Sequence, residues 1–142
     1  MKLEILSFNG KLFKSHSVIS VTAVSKIWEI TLLENHSPLI TSLQPSVLKV
    51  VYEDENHIHQ IENFAIWWGI LEVSQNSMKI LIDMLIWIED IDLNLAQKAK
   101  QQALDLMEKY KESKDKIDME KFIEAQDQLL KSVAQLKLGS LK

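Results

Sequence analysis

The sequence predicts an α+β protein, β first and then α: an antiparallel β-sandwich or flattened barrel over residues 1–88, then an antiparallel two-helix hairpin over residues 89–142. Three observations carry this. The apolar residues follow strand patterns up to Trp87 and a helical repeat of three and four beyond Asp92. The joint itself, Ile88-Glu89-Asp90-Ile91-Asp92, contains neither Gly nor Pro, so the sheet feeds directly into the helices. Two Asp residues then stand where helices need caps.

The strands are read in order. Lys2 to Ile5 alternates, and Asn9-Gly10 marks a hairpin leading into Leu12 and Phe13. Ser17 to Val24 is rich in β-branched residues, and Lys26 to Leu33 alternates around Trp28, Ile30 and Leu32. Pro38 and Pro45 fence a short strand, Leu39 to Leu43. Val47 to Tyr52 and His57 to Ile61 flank the polar turn Glu53 to Asn56; Phe64 to Val73 and Met78 to Ile88 flank Ser74 to Ser77. Short strands at such close spacing imply a sandwich or barrel.

The helices follow. Asp92 is placed to cap a helix with the seam Ala96, Ala99, Ala103, Leu106 and Tyr110. Asp118 is placed to cap a second with the seam Met119, Phe122, Gln126, Leu129, Val133 and Leu136, ending at Gly139. Ile91 and Ile117 precede the two caps, where each would staple onto the first turn. A pair of helices this short is marginal in water by itself. The hairpin is therefore expected to dock on the sandwich or on a partner, and an element with two docking surfaces can switch between them.

Composition narrows the function. The apolar share is 46% and the charged share 25%, ordinary for a folded soluble domain. Met1-Lys2-Leu3-Glu4 opens an alternating strand pattern, not a signal peptide, and no apolar run is long enough for a membrane span. With no cysteine there is neither a disulfide nor a thiolate zinc site. All 16 basic residues are lysine, which lacks the two-pronged grip of arginine on phosphate. Residues 1–91 carry 6 Lys against 11 acids, a net of −5, and residues 92–142 carry 10 Lys against 9 acids, a net of +1. An acidic body speaks against nucleic-acid binding.

No catalytic constellation emerges. Ser37 beside His36 lacks any nucleophile-elbow context, and His57 with His59 would offer two metal ligands on one strand face without a third. Glu53-Asp54-Glu55 lacks calcium-loop spacing, and no phosphate-binding glycine motif occurs. Trp67-Trp68 is the suggestive pair: adjacent strand residues face opposite sides, so one is expected in the core and the other against solvent, the helices or a partner.

Four segments resemble the epsilon subunit of bacterial and chloroplast F-type ATP synthases (delta in mitochondria). They are Glu29 to Leu39, with its His36-Ser37-Pro38-Leu39; Trp68 to Val73; Asp90 to Ala96; and Ala134 to Lys137. The resemblance implies a non-catalytic, cofactor-free subunit on the central stalk of a rotary ATPase. It would bind gamma and the membrane c ring from the cytoplasmic face of the cell membrane. The hairpin would lie folded or extend toward the catalytic alpha and beta subunits and oppose ATP hydrolysis. Partner-contact candidates are Glu29 and His36 in the matching contact loop, Trp67 and Trp68 on the sandwich, and Lys131 and Lys137 on the last helix. This sequence departs from the family where the usual glycines are Thr31, Asn35 and Trp68, and where the arginine of the ATP-binding members is Leu95. ATP sensing is therefore not expected. Two other readings remain: an epsilon-like subunit of a paralogous motor not coupled to proton transport, and a small-ligand-binding sandwich with a helical lid.

Overall fold

The structure, a computed structural model of the chain, describes residues 1–141. Ten strands form two five-stranded sheets. They are β1 (Lys2–Ser7), β2 (Leu12–Ser15), β3 (Val18–Val24), β4 (Glu29–Leu33), β5 (Leu39–Leu43), β6 (Ser46–Glu53), β7 (His59–Ile66), β8 (Gly69–Ser74), β9 (Ser77–Ile82) and β10 (Leu85–Trp87). One sheet has the order β2-β1-β9-β8-β5 and the other β10-β7-β6-β3-β4. A 3-10 turn, Ile88–Asp90, leads into α1 (Leu93–Tyr110) and α2 (Lys116–Gly139).

The predicted sandwich is present, with one departure: β1 runs parallel to β9, pairing Leu3 with Met78 and Ile5 with Ile80. All other ladders are antiparallel. The first strand is far in sequence from the ninth, so no tight turn dictates their relative direction.

Alternation fills the core. Leu3 and Ile5, Leu48 and Val50, Leu71 and Val73, and Met78, Ile80 and Ile82 all point inward and are buried. In β3 the spacing stretches to three, from Val18 to Val21, because a register shift between Val18 and Ser20 turns both inward. An edge-to-face aromatic chain crosses the core, with Phe64 5.3 Å from Phe13 and 4.7 Å from Trp87 between ring centroids.

Two predicted strands are each divided. Phe64 to Val73 breaks at Trp67-Trp68, and Met78 to Ile88 breaks at Asp83-Met84. The reason is a shared corner at which both segments pass from one sheet to the other. Trp67 N–H donates to Met84 O at 3.2 Å, and Asp83 N–H donates to Trp68 O at 2.9 Å, so the corner keeps its backbone bonds. Gly69 is required there: a Cβ would overlap the Ile82 side chain and the Leu81 carbonyl. At the far end of this bent hairpin, Gln75 and Asn76 both take positive φ (48° and 60°), the twist that a two-residue turn needs.

Lys26 to Trp28 also leaves the predicted ladder. Ser25 Oγ accepts from Ile27 and Trp28 N–H and donates to Trp28 O, so β4 starts only at Glu29. His57 has φ 61° and belongs to the turn before β7, so it does not share a strand face with His59. Its Nδ1 is 2.5 Å from Glu53 Oε1 instead.

Asp92 caps α1 as predicted, accepting from Leu95 N–H at 3.0 Å. The second cap is Asp115 and not Asp118. Asp115 accepts from Ile117 N–H at 2.8 Å, while Asp118 lies in the first turn and accepts from Ser113 Oγ. The shifted cap removes the predicted staple, and Ile117 is exposed. The seam shifts with it. Phe122, Leu129 and Leu136 are half-buried, but Met119, Gln126 and Val133 are exposed, and Ala125, Ser132 and Gly139 are buried in their place. These small residues recur every seven positions, as do buried Ala96 and Ala103 on α1, and let the two axes approach closely. At Gly139 a Cβ would meet the Leu93 side chain.

Candidate functional site

The features that sequence alone made suggestive converge where α2 lies on the second sheet. α2 has two buried faces. One holds Ala125 and Ser132 toward α1, and the other turns Ala134 and Leu138 onto Ala65 of β7, rimmed by Val47, Ile86, Ile88 and Ile91. Ala65 is buried although its neighbours Phe64 and Ile66 fill the core, because α2 covers the sheet's outer face there.

Neither Trp67 nor Trp68 joins the core, contrary to the alternation argument. Both are half-buried and both engage α2, because the corner takes them out of the pleated ladder. Trp68 Nε1–H donates to Asp127 Oδ1. The other Asp127 oxygen is 2.8 Å from Lys131 Nζ, one turn along the same helix. Lys131 Nζ sits 4.1 Å from the Trp67 ring centroid, within cation–π range. Lys26 Nζ approaches the Trp68 ring at 5.7 Å. Trp67 Nε1–H is buried without an acceptor.

Trp67, Asp127 and Lys131 bound a cavity of about 330 Å³, lined also by Ala99, Glu124, Gln128, Ser132 and Gln135. Its charge is wrong for a polyphosphate. Two carboxylates, Glu124 and Asp127, face one ammonium, and that ammonium is already paired. Leu95 is 65% exposed and offers no donor. Among the described residues no group of three His, Asp or Glu side chains is placed to hold a metal ion.

The remaining candidates lie elsewhere. Glu29 and Lys137 line a second cavity, of about 420 Å³, with Lys49, Asn63 and Leu141 between the sheet and the end of α2. His36 is exposed on the loop after β4, its Nδ1 2.7 Å from Ser37 O. Glu29 begins β4 and His36 follows its end, so the strand separates these two residues by roughly 13 Å or more at about 3.3 Å per residue. Asp127 was missed from sequence. Its signals were the i,i+4 spacing to Lys131 and the need of a half-buried indole for an acceptor.

Two carboxyl groups have displaced acidities. Burial, with the nearby Glu89 charge, raises the Glu62 carboxyl above its ordinary value. Backbone donation from Ile58, with Gln60 and Asn56, lowers Asp54. Both lie outside the hairpin contact.

No helix among the described residues is long and apolar enough to cross a membrane. Residues 1–88 match the family model for the ATP synthase delta/epsilon chain, β-sandwich domain. The chain is 34% identical over 137 residues to the ATP synthase epsilon chain of Hydrogenovibrio crunogenus, covering 96% of this chain and 87% of that one. It is 33% identical over 138 residues to that of Clostridium kluyveri, covering 97% and 96%. In fold it matches a chain of the Euglena gracilis mitochondrial ATP synthase structure (OSCP/F1/c-ring) with a TM-score of 0.75 over 99% of this chain and 80% of that one, at 19% identity. A chain of the Tetrahymena thermophila mitochondrial ATP synthase central stalk and c ring matches 63% of this chain and 68% of its own length, with a TM-score of 0.52 at 17% identity. A sheet sandwich carrying a docked helical hairpin, matched along nearly its whole length by these relatives, belongs to the epsilon-chain family of F-type ATP synthases.

Proposed function

We propose that the chain is a non-catalytic rotor subunit on the central stalk, joining gamma to the c ring, with a hairpin that restrains ATP hydrolysis when it extends toward the catalytic alpha and beta subunits. The observation that carries the reading is the division of the sandwich into two unlike faces. α2 covers the outer face around β6 and β7. The outer face of the other sheet carries an uncovered apolar row in register, Leu12, Leu6, Leu81 and Ile70, with Phe8 88% exposed beside it. An exposed apolar row of this kind suits a lasting protein contact, and we assign it to gamma.

His36 on its exposed loop suits a polar contact with the c ring. Glu29 and Lys137 line one cavity near the end of α2 and are both exposed, so either is available to a partner. Lys131 is held against Trp67 and Asp127 in this state and would meet a beta carboxylate only after release. The tandem Trp67-Trp68 is hidden by the hairpin and would be uncovered in the same step. By this reading the protein works at the cytoplasmic face of the membrane and binds no ATP itself.

Affinity purification of the tagged chain from its own cell tests the assignment. Gamma together with c subunits supports it. Gamma and catalytic subunits without c subunits would place the chain in a paralogous motor. Recovery of neither would refute the stalk assignment.

A further inference from the structure

We propose that Trp67, Trp68, Asp127 and Lys131 form a latch that holds the hairpin closed on the sandwich without any bound ligand. Two consecutive sandwich residues grip two helix residues one turn apart. The Trp68 indole N–H holds the Asp127 carboxylate, and the Trp67 ring face holds the Lys131 ammonium. Asp127 and Lys131 also hold each other at 2.8 Å, so the four groups form one connected chain of polar contacts.

Exposed ion pairs one turn apart on a helix contribute little. This pair differs because its side chains are only 32% and 24% exposed and each has an aromatic partner on the sandwich. A hydrogen bond to a charged group is stronger than one between neutral groups, and cation–π attraction grows on desolvation. The rest of the α2 contact on the sheet is thin, with Ala65, Ala134 and Leu138 as its buried residues. The two polar contacts that cross from sandwich to helix, tied together by the Asp127–Lys131 pair, therefore add a large share of closure.

The corner makes the latch possible. In a regular strand the two indoles would face opposite sides. Between β7 and β8 the backbone turns, and both reach α2. The closed state is also incomplete, since Trp67 Nε1–H stays unpaired. An unpaired buried donor works against closure.

The latch is read on the isolated full chain, so it stands or falls separately from the stalk assignment. Hydrogen exchange of α2 is measured for Trp68→Phe, Asp127→Ala, Lys131→Met and the Trp68→Phe/Asp127→Ala double variant. We expect each single change to speed α2 exchange by about tenfold, with β1 and β9 unaffected, for loss of one charge-assisted bond. The double variant should exchange no faster than Asp127→Ala alone, because both remove the same bond. Unchanged exchange in the single variants, or fully multiplicative effects in the double, would overturn the latch. If Asp127→Ala fails to fold, Asp127→Asn replaces it: Oδ1 still accepts from Trp68, so adding Trp68→Phe must speed exchange further, and no further change overturns the proposal. Slowing of α2 exchange by millimolar ATP would also overturn it, since closure would then depend on a ligand.

Discussion

Gly69→Ala isolates the corner on which the hairpin contact depends. A Cβ at this position would overlap two groups that respond differently: the Ile82 Cγ2 methyl and the Leu81 backbone carbonyl. Ile82 is 1% exposed and packed in the core, so its methyl has no free space to enter. The Leu81 carbonyl belongs to the β8–β9 ladder, where Gly69 pairs with Ile82 and Ile70 with Leu81, so moving it stretches backbone bonds. Overpacking of a tight interior costs about 1–3 kcal/mol, and a backbone obstacle puts this site toward the upper end, about 2–3 kcal/mol. Gly139→Ala is the matched control. There the added Cβ meets only Leu93, a flexible side chain 44% exposed, and the change should alter stability by no more than about 0.5 kcal/mol because helix propensity gains offset the contact. Urea denaturation followed by Trp fluorescence reports both. Equal effects of the two substitutions, or a Gly69→Ala cost below about 0.5 kcal/mol, would refute the corner argument.

Three further outcomes follow from the packing and the charges. Leu138→Ala removes a fully buried side chain from the hairpin contact, which typically costs about 2–5 kcal/mol, and should speed α2 exchange while leaving the denaturation midpoint of the sandwich unchanged. Asp92→Ala should cost α1 about 1 kcal/mol, visible as faster exchange at Leu95 and Ala96, by loss of the cap on Leu95 N–H. Glu62 is raised in the folded state by burial and Glu89, so the native state holds its proton more tightly than the unfolded one, and its contribution to stability falls as pH rises through its titration. Glu62→Gln should therefore raise the melting temperature at pH 7, with the advantage disappearing below about pH 4, where the unfolded carboxyl is also protonated.

The sandwich was legible because period-two alternation reports burial directly: Leu3, Ile5, Leu48, Val50, Leu71, Val73, Met78 and Ile80 are where their pattern places them. The corner at Trp67-Trp68 was not, because an unbroken apolar run reads as one strand whether or not it crosses between sheets. Only Gly69 hinted at it. The second helix was legible in kind but rotated in detail. Asp115 and Asp118 are both acceptable caps, and Ser113 settles the choice by taking up Asp118. That choice turned Ala125 and Ser132 inward, residues that a search for large apolar side chains passes over. The hairpin contact escaped for a similar reason, since Asp127 and Lys131 resemble any solvated ion pair until the two indoles are beside them.

The claim that the hairpin is a movable regulatory arm is tested most directly by removing it. The buried core of the sandwich consists of residues from Met1 to Leu85, with Trp87 packed against it, so a chain ending at Ile91 should still fold and join the assembled complex. ATP hydrolysis by that complex should rise relative to the complex with the full chain. Unchanged hydrolysis, with the shortened chain shown to be present at full occupancy, would contradict the account.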